Sequence, residues 1–275
     1  MPSGRERAGG RPRIAVSDLS LAHGDFVIQR ALTFTVAPRE IFVIMGGSGC
    51  GKTTLLRHMI GLQRPARGEV LYDGQNYWGA DENTREEMRR RFGVLFQGGA
   101  LLSSMTLGEN VGLLLGEFTD LTSAEIVDLV ALKLALVGLA GFEDFYPAEL
   151  SGGMMKRAGL ARAMALDPDI LFLDEPSAGL DPVTGSRLDE LILQLRESLG
   201  CTFVVVTHEL SSIFSIADTA AFLDPEARTM TALGNPHRLL AESKDPRVRA
   251  FLTRRAQPVG APVSAARPGQ AETSR

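Results

Sequence analysis

The sequence predicts an α/β fold with a mainly parallel sheet whose strands are covered on both faces. Short, unbroken apolar runs are typical of parallel strands that are buried on both sides. Three such runs occur, at Ile41–Met45, Ile170–Leu173 and Phe203–Val206. Helical patterns follow or separate these runs, at about 84–91, 123–140, 152–166 and 184–198. Strands that alternate with helices in this way favour a parallel sheet.

Two regions depart from this alternation. Short β-prone runs near the start of the chain predict an antiparallel β layer. They include Phe26–Ile28, Leu32–Val36 and Gly68–Gly74, and the last run is closed by an Asp-Gly turn. The segment from about 98 to 163 carries helical patterns without strong strand signals. We therefore expect a helical subdomain inserted into the α/β body.

Composition limits the class of protein. The chain has 275 residues, 44% of them hydrophobic, which suits one domain with a full core. A net charge of −4 and a single Trp argue against a nucleic-acid partner. The best apolar stretch, Ile126–Phe142, is interrupted by Asp128 and Lys133, so it predicts an amphipathic helix and not a membrane span. We expect a cytoplasmic location, and no structural disulfide between the distant Cys50 and Cys201.

The two ends of the chain differ from its middle. Residues 1–13 are rich in Gly and Arg, and residues 256–275 are rich in Pro, Ala, Gly and polar side chains. Such compositions are typical of disorder. The predicted domain therefore spans 14–245, between a disordered tail at 1–13 and a largely disordered extension at 246–275.

The segment after the first apolar run fits the phosphate-loop pattern G-x-x-x-x-G-K-[ST]. With the threonine that follows it, this segment consists of Gly46, Gly47, Ser48, Gly49, Cys50, Gly51, Lys52, Thr53 and Thr54. Glycines let backbone N–H groups turn toward phosphates, and a helix N-terminus adds positive potential. We expect Lys52 to reach the β- and γ-phosphates of ATP and the Thr53 hydroxyl to bind Mg²⁺. A plain glycine-rich turn, the alternative, would not require the Lys-Thr pair.

Cys50, inside this loop, allows two interpretations. The simpler one, which the sequence favours, is a small side chain that fits the available space. The other is a reactive thiol, because a helix N-terminus and a nearby lysine lower the pKa of a cysteine.

Two carboxylates follow the second apolar run, at Asp174 and Glu175, where parallel sheets bind ligands. Pro176 then ends the strand. We expect Asp174 to hold Mg²⁺ through water and Glu175 to act as the general base that polarises an attacking water. The alternative is a surface turn with two solvated acids, and the apolar run before the carboxylates argues against it.

A third candidate ligand site is formed by Ser151, Gly152 and Gly153. Ser151 is a good helix N-cap, and the glycines let the backbone approach a ligand closely. The helix that follows presents an N-terminus suited to a phosphate. Taken alone this tripeptide is more typical of an ordinary capped helix, but its place shortly before Asp174 and Glu175 favours a ligand site.

The phosphate loop, Glu149–Ala163 and Ile170–Pro176 together resemble the ATPase subunit of an ABC transporter, and the resemblance extends over about residues 14–234. It implies a P-loop NTPase fold and ATP and Mg²⁺ as cofactors. It also implies that two copies of the chain close on two ATP molecules and drive an integral-membrane permease.

The resemblance assigns roles across that pair of subunits. Ser151, Gly152 and Gly153 are implied to contact the γ-phosphate held by the other copy. Met154 stands where the family usually has Gln, which removes one polar contact. Asp181 matches the loop that crosses the dimer interface and helps to position the opposing site.

The same resemblance covers residues at the ends of two apolar segments. Gln97 matches the lid glutamine, which touches Mg²⁺ or the attacking water. His208 matches the switch histidine, which hydrogen-bonds the γ-phosphate. The family commonly stacks adenine on an aromatic side chain near the first strands, and here His23 and Phe26 are both candidates.

Finer motifs look like those of the Mla/Mce-type lipid-transport ATPases. They are the segment 98–111, the sequence Leu150–Arg157 and the segment 163–169. This implies phospholipid or lipid transport with a permease and Mce-type substrate-binding proteins, at the cytoplasmic face of the inner membrane. Asp245–Leu252 is a candidate short helix that docks on the neighbouring ATPase subunit. The alternatives are an importer ATPase for amino acids or another small polar solute, a soluble ABC protein of translation or DNA repair, and a kinase with the same phosphate loop.

Overall fold

The computed structural model describes residues 11–24 and 26–254. The strands are β1 (Ile14–His23), β2 (Phe26–Val36), β3 (Ile41–Met45), β4 (Arg67–Tyr72), β5 (Gln75–Asn76), β6 (Phe92–Leu95), β7 (Ile170–Asp174), β8 (Thr202–Val206), β9 (Thr219–Asp224) and β10 (Thr229–Gly234). The helices are α1 (Lys52–Met59), α2 (Glu82–Arg90), α3 (Leu107–Phe118), α4 (Ser123–Leu136), α5 (Gly152–Ala163), α6 (Pro182–Leu199), α7 (Leu210–Ile216), α8 (Pro236–Glu242) and α9 (Pro246–Leu252), with a 3₁₀ turn at Pro147–Glu149.

The strands form two sheets. The larger has the order β10-β9-β3-β8-β7-β6, and its neighbours are parallel except for the antiparallel pair β9 and β10. The smaller is antiparallel and has the order β2-β1-β4-β5. The predicted mainly parallel sheet and antiparallel β layer are both confirmed, and the runs Phe26–Ile28 and Leu32–Val36 belong to one strand, β2.

Both faces of the parallel sheet are covered, which explains its unbroken apolar runs. All residues of β3, β7 and β8 are buried. On β3, Ile41, Val43 and Met45 pack into the core shared with the helical subdomain. Phe42 and Ile44 point the other way, into the core beneath the antiparallel layer. A strand in this position has no solvent face, so polar alternation is absent.

Strands β6, β9 and β10 were not predicted from the sequence. In β6, Gly93 interrupts the apolar run, and a Cβ there would collide with the carbonyl of Ala163, so helix packing excludes a larger residue. Strand β9 begins Thr219-Ala-Ala, which lacks the branched and aromatic side chains that mark strands. Both strands owe their conformation to tertiary pairing with β7 and β3.

Helices α3, α4 and α5 pack together between β6 and β7, as expected for the inserted helical subdomain. Helices α3 and α4 both begin with a capping box, formed by Thr106 with Glu109 and by Thr122 with Glu125. Helix α4 ends at Leu136, earlier than the predicted limit near 140, because Gly138 adopts a left-handed backbone with φ of 71°. None of the described helices is long and apolar enough to span a membrane.

The ordered chain continues beyond the predicted domain limit at 245. Residues 246–252 form helix α9, which agrees with the candidate short helix at Asp245–Leu252 and corrects the assignment of these residues to a largely disordered extension. Val248 and Leu252 are buried in the main core, and Arg247 Nε lies 2.9 Å from the buried Asp224 Oδ2. The helix therefore docks on its own domain, and the rest of the predicted extension and residues 1–10 lie outside the described residues.

A buried polar link joins α6 and α7 to the segment after β7. Asp189 on α6 is 3% exposed and receives a hydrogen bond from Ser212 on α7. Ser212 Oγ lies 3.3 Å from Ser177 Oγ. Burial raises the pKa of the Asp189 carboxyl to about 6, and the Ser212 hydrogen bond opposes this only in part. Asp189 Oδ1 has no hydrogen-bond partner in the part of the chain that the structure describes, so the charged carboxylate is poorly solvated there.

The docking of α9 is tested by Leu252→Ala. Removing this buried side chain is expected to lower the free energy of unfolding by about 2–5 kcal/mol, the usual range for a core leucine that leaves a cavity. Chemical denaturation measures the change, with Arg249→Ala on the exposed side of the same helix as the control. Equal stability of both variants and the wild type would contradict the packing of α9.

The raised pKa of Asp189 predicts a specific pH dependence of stability. Between pH about 4 and about 6 the folded state holds this proton more tightly than the unfolded chain does. This carboxyl therefore lowers the free energy of unfolding as pH rises through that window. Asp189→Asn removes the effect, so its stability relative to the wild type rises from pH 4.5 to pH 7.5 by on the order of 1–3 kcal/mol.

Denaturation curves at the two pH values test this prediction. Glu190→Gln is the matched control, because it removes an exposed carboxylate from the adjacent position of α6. If Asp189→Asn and Glu190→Gln respond alike to pH, burial of Asp189 has no consequence for stability.

Candidate functional site

Four neighbouring strands of the parallel sheet deliver the candidate residues to one edge. Strand β6 leads to Gln97, β7 to Glu175, β8 to His208 and β3 to Gly46. Because these strands are parallel and adjacent, their carboxyl ends lie side by side. A cavity of about 580 Å³ lies there. It is lined by Phe26, Ile28, Ser48, Gly49, Gly51, Lys52, Thr53, Thr54, Gln97, Glu175 and His208.

The phosphate loop needs glycine where the chain approaches its neighbours most closely. Gly46 and Gly51 have φ of 152° and 94°, in the region that side chains disfavour. A Cβ on Gly46 would lie 2.6 Å from the Leu223 carbonyl oxygen, and one on Gly51 would lie 2.6 Å from Ile28 Cγ2. Helix α1 starts at Lys52 without a side-chain cap, so its first N–H groups remain available to an anion.

The Lys52 ammonium lies inside the loop. Its Nζ donates hydrogen bonds to the carbonyl oxygens of Gly46 and Gly47, at 3.0 and 3.1 Å. The side chain is buried, although it borders the cavity. This geometry places a positive charge at the centre of the curved backbone, where a polyphosphate would have its charge neutralised.

Cys50 does not face the cavity. Its side chain is buried in the apolar core, and burial raises the pKa of the thiol despite the nearby Lys52. This burial favours the interpretation of Cys50 as a small residue that fits and argues against a reactive thiol. The loop backbone at Cys50 is held by Gln29, whose Nε2 donates to the carbonyl oxygens of Cys50 and Asp224 at 2.8 and 3.1 Å.

Two residues that position the site were missed in the sequence. Gln29 lies on β2, and nothing in its local pattern distinguishes a fully buried Gln from an exposed one. Lys156 lies on α5 and donates hydrogen bonds to the backbone carbonyls of Gln97 and Glu175. Lys156 lies five residues after Ser151. This spacing identifies it as a positioning residue only when the path of α5 past the sheet is known.

Thr53 and Asp174 form an oxygen pair suited to a hard cation. The Thr53 hydroxyl donates to Asp174 Oδ1 at 3.0 Å, although the two residues are far apart in sequence. Burial raises the pKa of the Asp174 carboxyl, and the hydrogen bond from Thr53 lowers it by less. A partly desolvated carboxylate beside a hydroxyl fits Mg²⁺, which prefers oxygen ligands. Gln97 lines the same cavity.

Glu175 is held in an unusual backbone conformation at the end of β7. Its φ is 50°, and its N–H donates to the carbonyl oxygen of Val206 at 2.8 Å. One carboxyl oxygen, Oε1, lies 2.8 Å from His208 Nδ1. The other, Oε2, is buried and has no hydrogen-bond partner among the described residues. A carboxylate with one oxygen anchored and one free acceptor is arranged to accept a proton from water.

Ser151, Gly152 and Gly153 do not line this cavity. Ser151 caps α5 by accepting a hydrogen bond from the Met154 N–H at 3.3 Å, and both Ser151 and Gly152 are exposed. Asp181 is also outside the cavity, and its carboxylate caps α6. The structure thus brings the phosphate loop, strand ends and switch residue together. It leaves Ser151, Gly152 and Asp181 exposed outside the cavity, and Gly153 is buried beside them.

Of the two candidate adenine-stacking residues, only Phe26 lines the cavity. Its ring is 58% exposed, and the Arg228 guanidinium lies 4.5 Å from the ring centroid. His23 pairs with Phe26 across the β1–β2 hairpin and is not among the lining residues.

Known ATP-binding proteins are similar in sequence to this chain over most of its length. The family model described as ABC transporter matches residues 29–178. The intermembrane phospholipid transport system ATP-binding protein MlaF of Escherichia coli K12 is 42% identical over 239 residues, which cover 87% of this chain and 88% of MlaF. The probable ribonucleotide transport ATP-binding protein mkl of Mycobacterium tuberculosis H37Rv is 42% identical over 248 residues, which cover 90% of this chain and 68% of mkl.

Solved structures of ATP-binding cassettes share the fold. Part of the cbiONQ transporter complex, cbiO1 of Clostridium perfringens, superposes with a TM-score of 0.77 and 26% identity, covering 86% of this chain and 93% of cbiO1. The dimeric cassette MJ0796, in a post-hydrolysis state with ADP and Pi, superposes with a TM-score of 0.72 and 27% identity, covering 81% of this chain and 98% of MJ0796. The family match, the relatives and the shared cassette fold show that this chain belongs to the ABC transporter family and is an ATPase of that family.

Proposed function

We propose that this chain powers lipid transport in an Mla/Mce-type ABC system, and that phospholipid is the cargo. The observation that carries the proposal is the 42% identity to MlaF, which extends over 88% of that phospholipid-transport protein. Sequence features of the segment 98–111 and of Leu150–Arg157 support the same subgroup.

The mkl relatives favour a second candidate cargo, because they are named as probable ribonucleotide transport proteins. Their identity to this chain is equal to that of MlaF, but the matched region covers 68% of mkl. The comparisons with MlaF and mkl do not favour an importer of amino acids.

For the ATP site, we propose that the phosphate-loop N–H groups and Lys52 bind the β- and γ-phosphates. Thr53, Asp174 and Gln97 would hold Mg²⁺, with Asp174 acting through water. When bound, the ion supplies positive charge that neutralises the phosphate oxygens. Phe26 supports the adenine ring at the cavity edge.

Hydrolysis follows from the arrangement of Glu175 and His208. Water attacks the γ-phosphorus, the bond from phosphorus to the ADP oxygen breaks, and Glu175 accepts the proton of the water. His208 is placed by the contact between its Nδ1 and Glu175 Oε1, and its other ring nitrogen, Nε2, would contact the γ-phosphate. The fixed left-handed backbone at Glu175 aims the carboxylate into the cavity.

A second copy of the chain would complete each ATP site. Ser151, Gly152 and Gly153 contact the γ-phosphate bound to the other copy, and Asp181 crosses the interface. Exposure of Ser151, Gly152 and Asp181 outside their own cavity supports this assignment, as does the dimeric state of MJ0796. ATP makes contacts across the interface that ADP lacks, so binding and hydrolysis bias the pair between closed and open states. A permease, with Mce-type proteins, would anchor the pair at the cytoplasmic face of the membrane.

The role of Glu175 is tested by Glu175→Gln. This change keeps the size of the side chain but removes the base, so hydrolysis is expected to fall by about 10²-fold or more while ATP binding persists. Phosphate release measures turnover, and a fluorescent ATP analogue measures binding. Glu209→Gln is the matched control, since Glu209 Oε1 lies 3.5 Å from the other ring nitrogen of His208. Equal turnover of Glu175→Gln and wild type would remove Glu175 from this role.

The cargo is tested by affinity purification of the tagged chain from its native cell in mild detergent. Mass spectrometry then identifies the proteins and lipids that copurify, with an untagged culture as the control. A permease together with Mce-type proteins and phospholipid is the expected result. A permease with a soluble protein that binds a nucleotide or another polar solute would contradict lipid transport and leave the ATPase assignment intact.

A further inference from the structure

Lys156 is a buried cation that reaches across from the helical subdomain to the catalytic edge of the sheet. It lies on α5, and its side chain is 8% exposed. Its Nζ donates a hydrogen bond to the backbone carbonyl of Gln97 and another, at 3.3 Å, to the backbone carbonyl of Glu175. One ammonium group therefore joins the residue that follows β6 to the residue that follows β7.

The charges around Lys156 explain how such a group is tolerated. Burial lowers its pKa, and the carboxylates of Asp174 and Glu175 oppose that shift. A buried ammonium with two carbonyl acceptors and two nearby carboxylates has its desolvation cost offset by charge-assisted hydrogen bonds. A neutral side chain of the same length would leave both carbonyls without this donor.

Close packing of α5 against the end of β6 and the segment after it fixes the position of Lys156 relative to Gln97. A Cβ on Gly159, one turn further along α5, would lie 2.7 Å from Leu95 Cδ1 and 3.0 Å from the Gly99 carbonyl oxygen. Arg162, another turn along, donates to the carbonyl of Ala100. Helix α5 thus packs directly against residues 97–100. Lys156 holds this segment at Gln97, and Arg162 holds it at Ala100.

We propose that Lys156 is a positioning residue that fixes Gln97 and Glu175 relative to each other for hydrolysis. The inference rests on the roles of Gln97 and Glu175 in the proposed function. Lys156 touches only backbone atoms of these residues, so it acts through their placement and takes no part in proton transfer. Its loss therefore slows turnover without weakening the binding of ATP, which the phosphate loop provides.

The test compares Lys156→Met with Lys156→Arg in the full-length chain. Methionine keeps the length of the side chain and removes the donors, whereas arginine keeps the charge and the donors. We expect Lys156→Met to lower kcat by about tenfold, the order expected for lost charge-assisted hydrogen bonds, with the KM for ATP changed less than about twofold. Lys156→Arg is expected to restore most of kcat.

Lys133→Met is the matched control for burial. Lys133 is another buried lysine, on α4, and its Nζ pairs with Asp167 Oδ1 at 2.5 Å, outside the catalytic edge. Melting temperatures are recorded for all variants. A kcat loss confined to Lys156→Met, at unchanged KM, supports the proposal. Wild-type kcat in Lys156→Met, or equal losses of kcat in Lys156→Met and Lys133→Met, overturns it.

Glu175→Gln, measured in parallel, separates this proposal from the proposed function. If Glu175→Gln hydrolyses ATP at the wild-type rate, the assignment of the general base fails first. If Glu175→Gln is inactive and Lys156→Met is unimpaired, the base assignment stands and only the positioning role of Lys156 is overturned.

Discussion

Burial of the parallel sheet on both faces is the constraint on which the active site depends. Strands β3, β7 and β8 have no solvent-exposed residue, so their backbone polar groups must pair with neighbouring strands and their register is fixed. Residues that are to contact a ligand can therefore lie only where the strands end. Gly46, Glu175 and His208 are therefore held at one edge by the packing of residues that never contact a ligand.

Polar groups at that edge are costly to desolvate. Hydrogen bonds between residues of different strands, helices and loops offset this cost. Asp174 is matched with Thr53, and Glu175 with His208 and, through its backbone, with Lys156. Glu175 Oε2, in contrast, is a buried acceptor that has no hydrogen-bond partner among the described residues. An unsatisfied acceptor and a left-handed backbone at the same residue are both destabilising, and both are explained if this carboxylate is placed for reaction and not for stability.

Features encoded in contiguous sequence were predictable, and features that depend on distant contacts were not. The phosphate loop is marked by glycines and a lysine, and the acidic strand end by two carboxylates. Each motif directly follows an apolar run, so the sequence alone predicts that both lie at strand ends. Gln29 and Lys156 act over long sequence separations through side-chain reach, which no local pattern encodes. Helix α9 was predicted as a candidate short helix at Asp245–Leu252, but its docking surface was not, because the contacts of Val248 and Leu252 with the main core involve residues far away in sequence.

Helix α5 gives the two halves of the proposed dimer a physical connection. Its N-terminus exposes Ser151, which the proposed function places against a second copy. Little more than one turn later, Lys156 is bound to the backbone of Gln97 and Glu175 in its own chain. A helix of this length moves as a rigid body, because each turn is held by its own backbone hydrogen bonds. Any shift of Ser151 on contact with ATP held by the second copy must therefore displace Lys156 as well. If Ser151 and Lys156 have the proposed roles, completion of one ATP site and positioning of the catalytic residues in the other are parts of a single movement, and two bound ATP molecules favour hydrolysis more than one does.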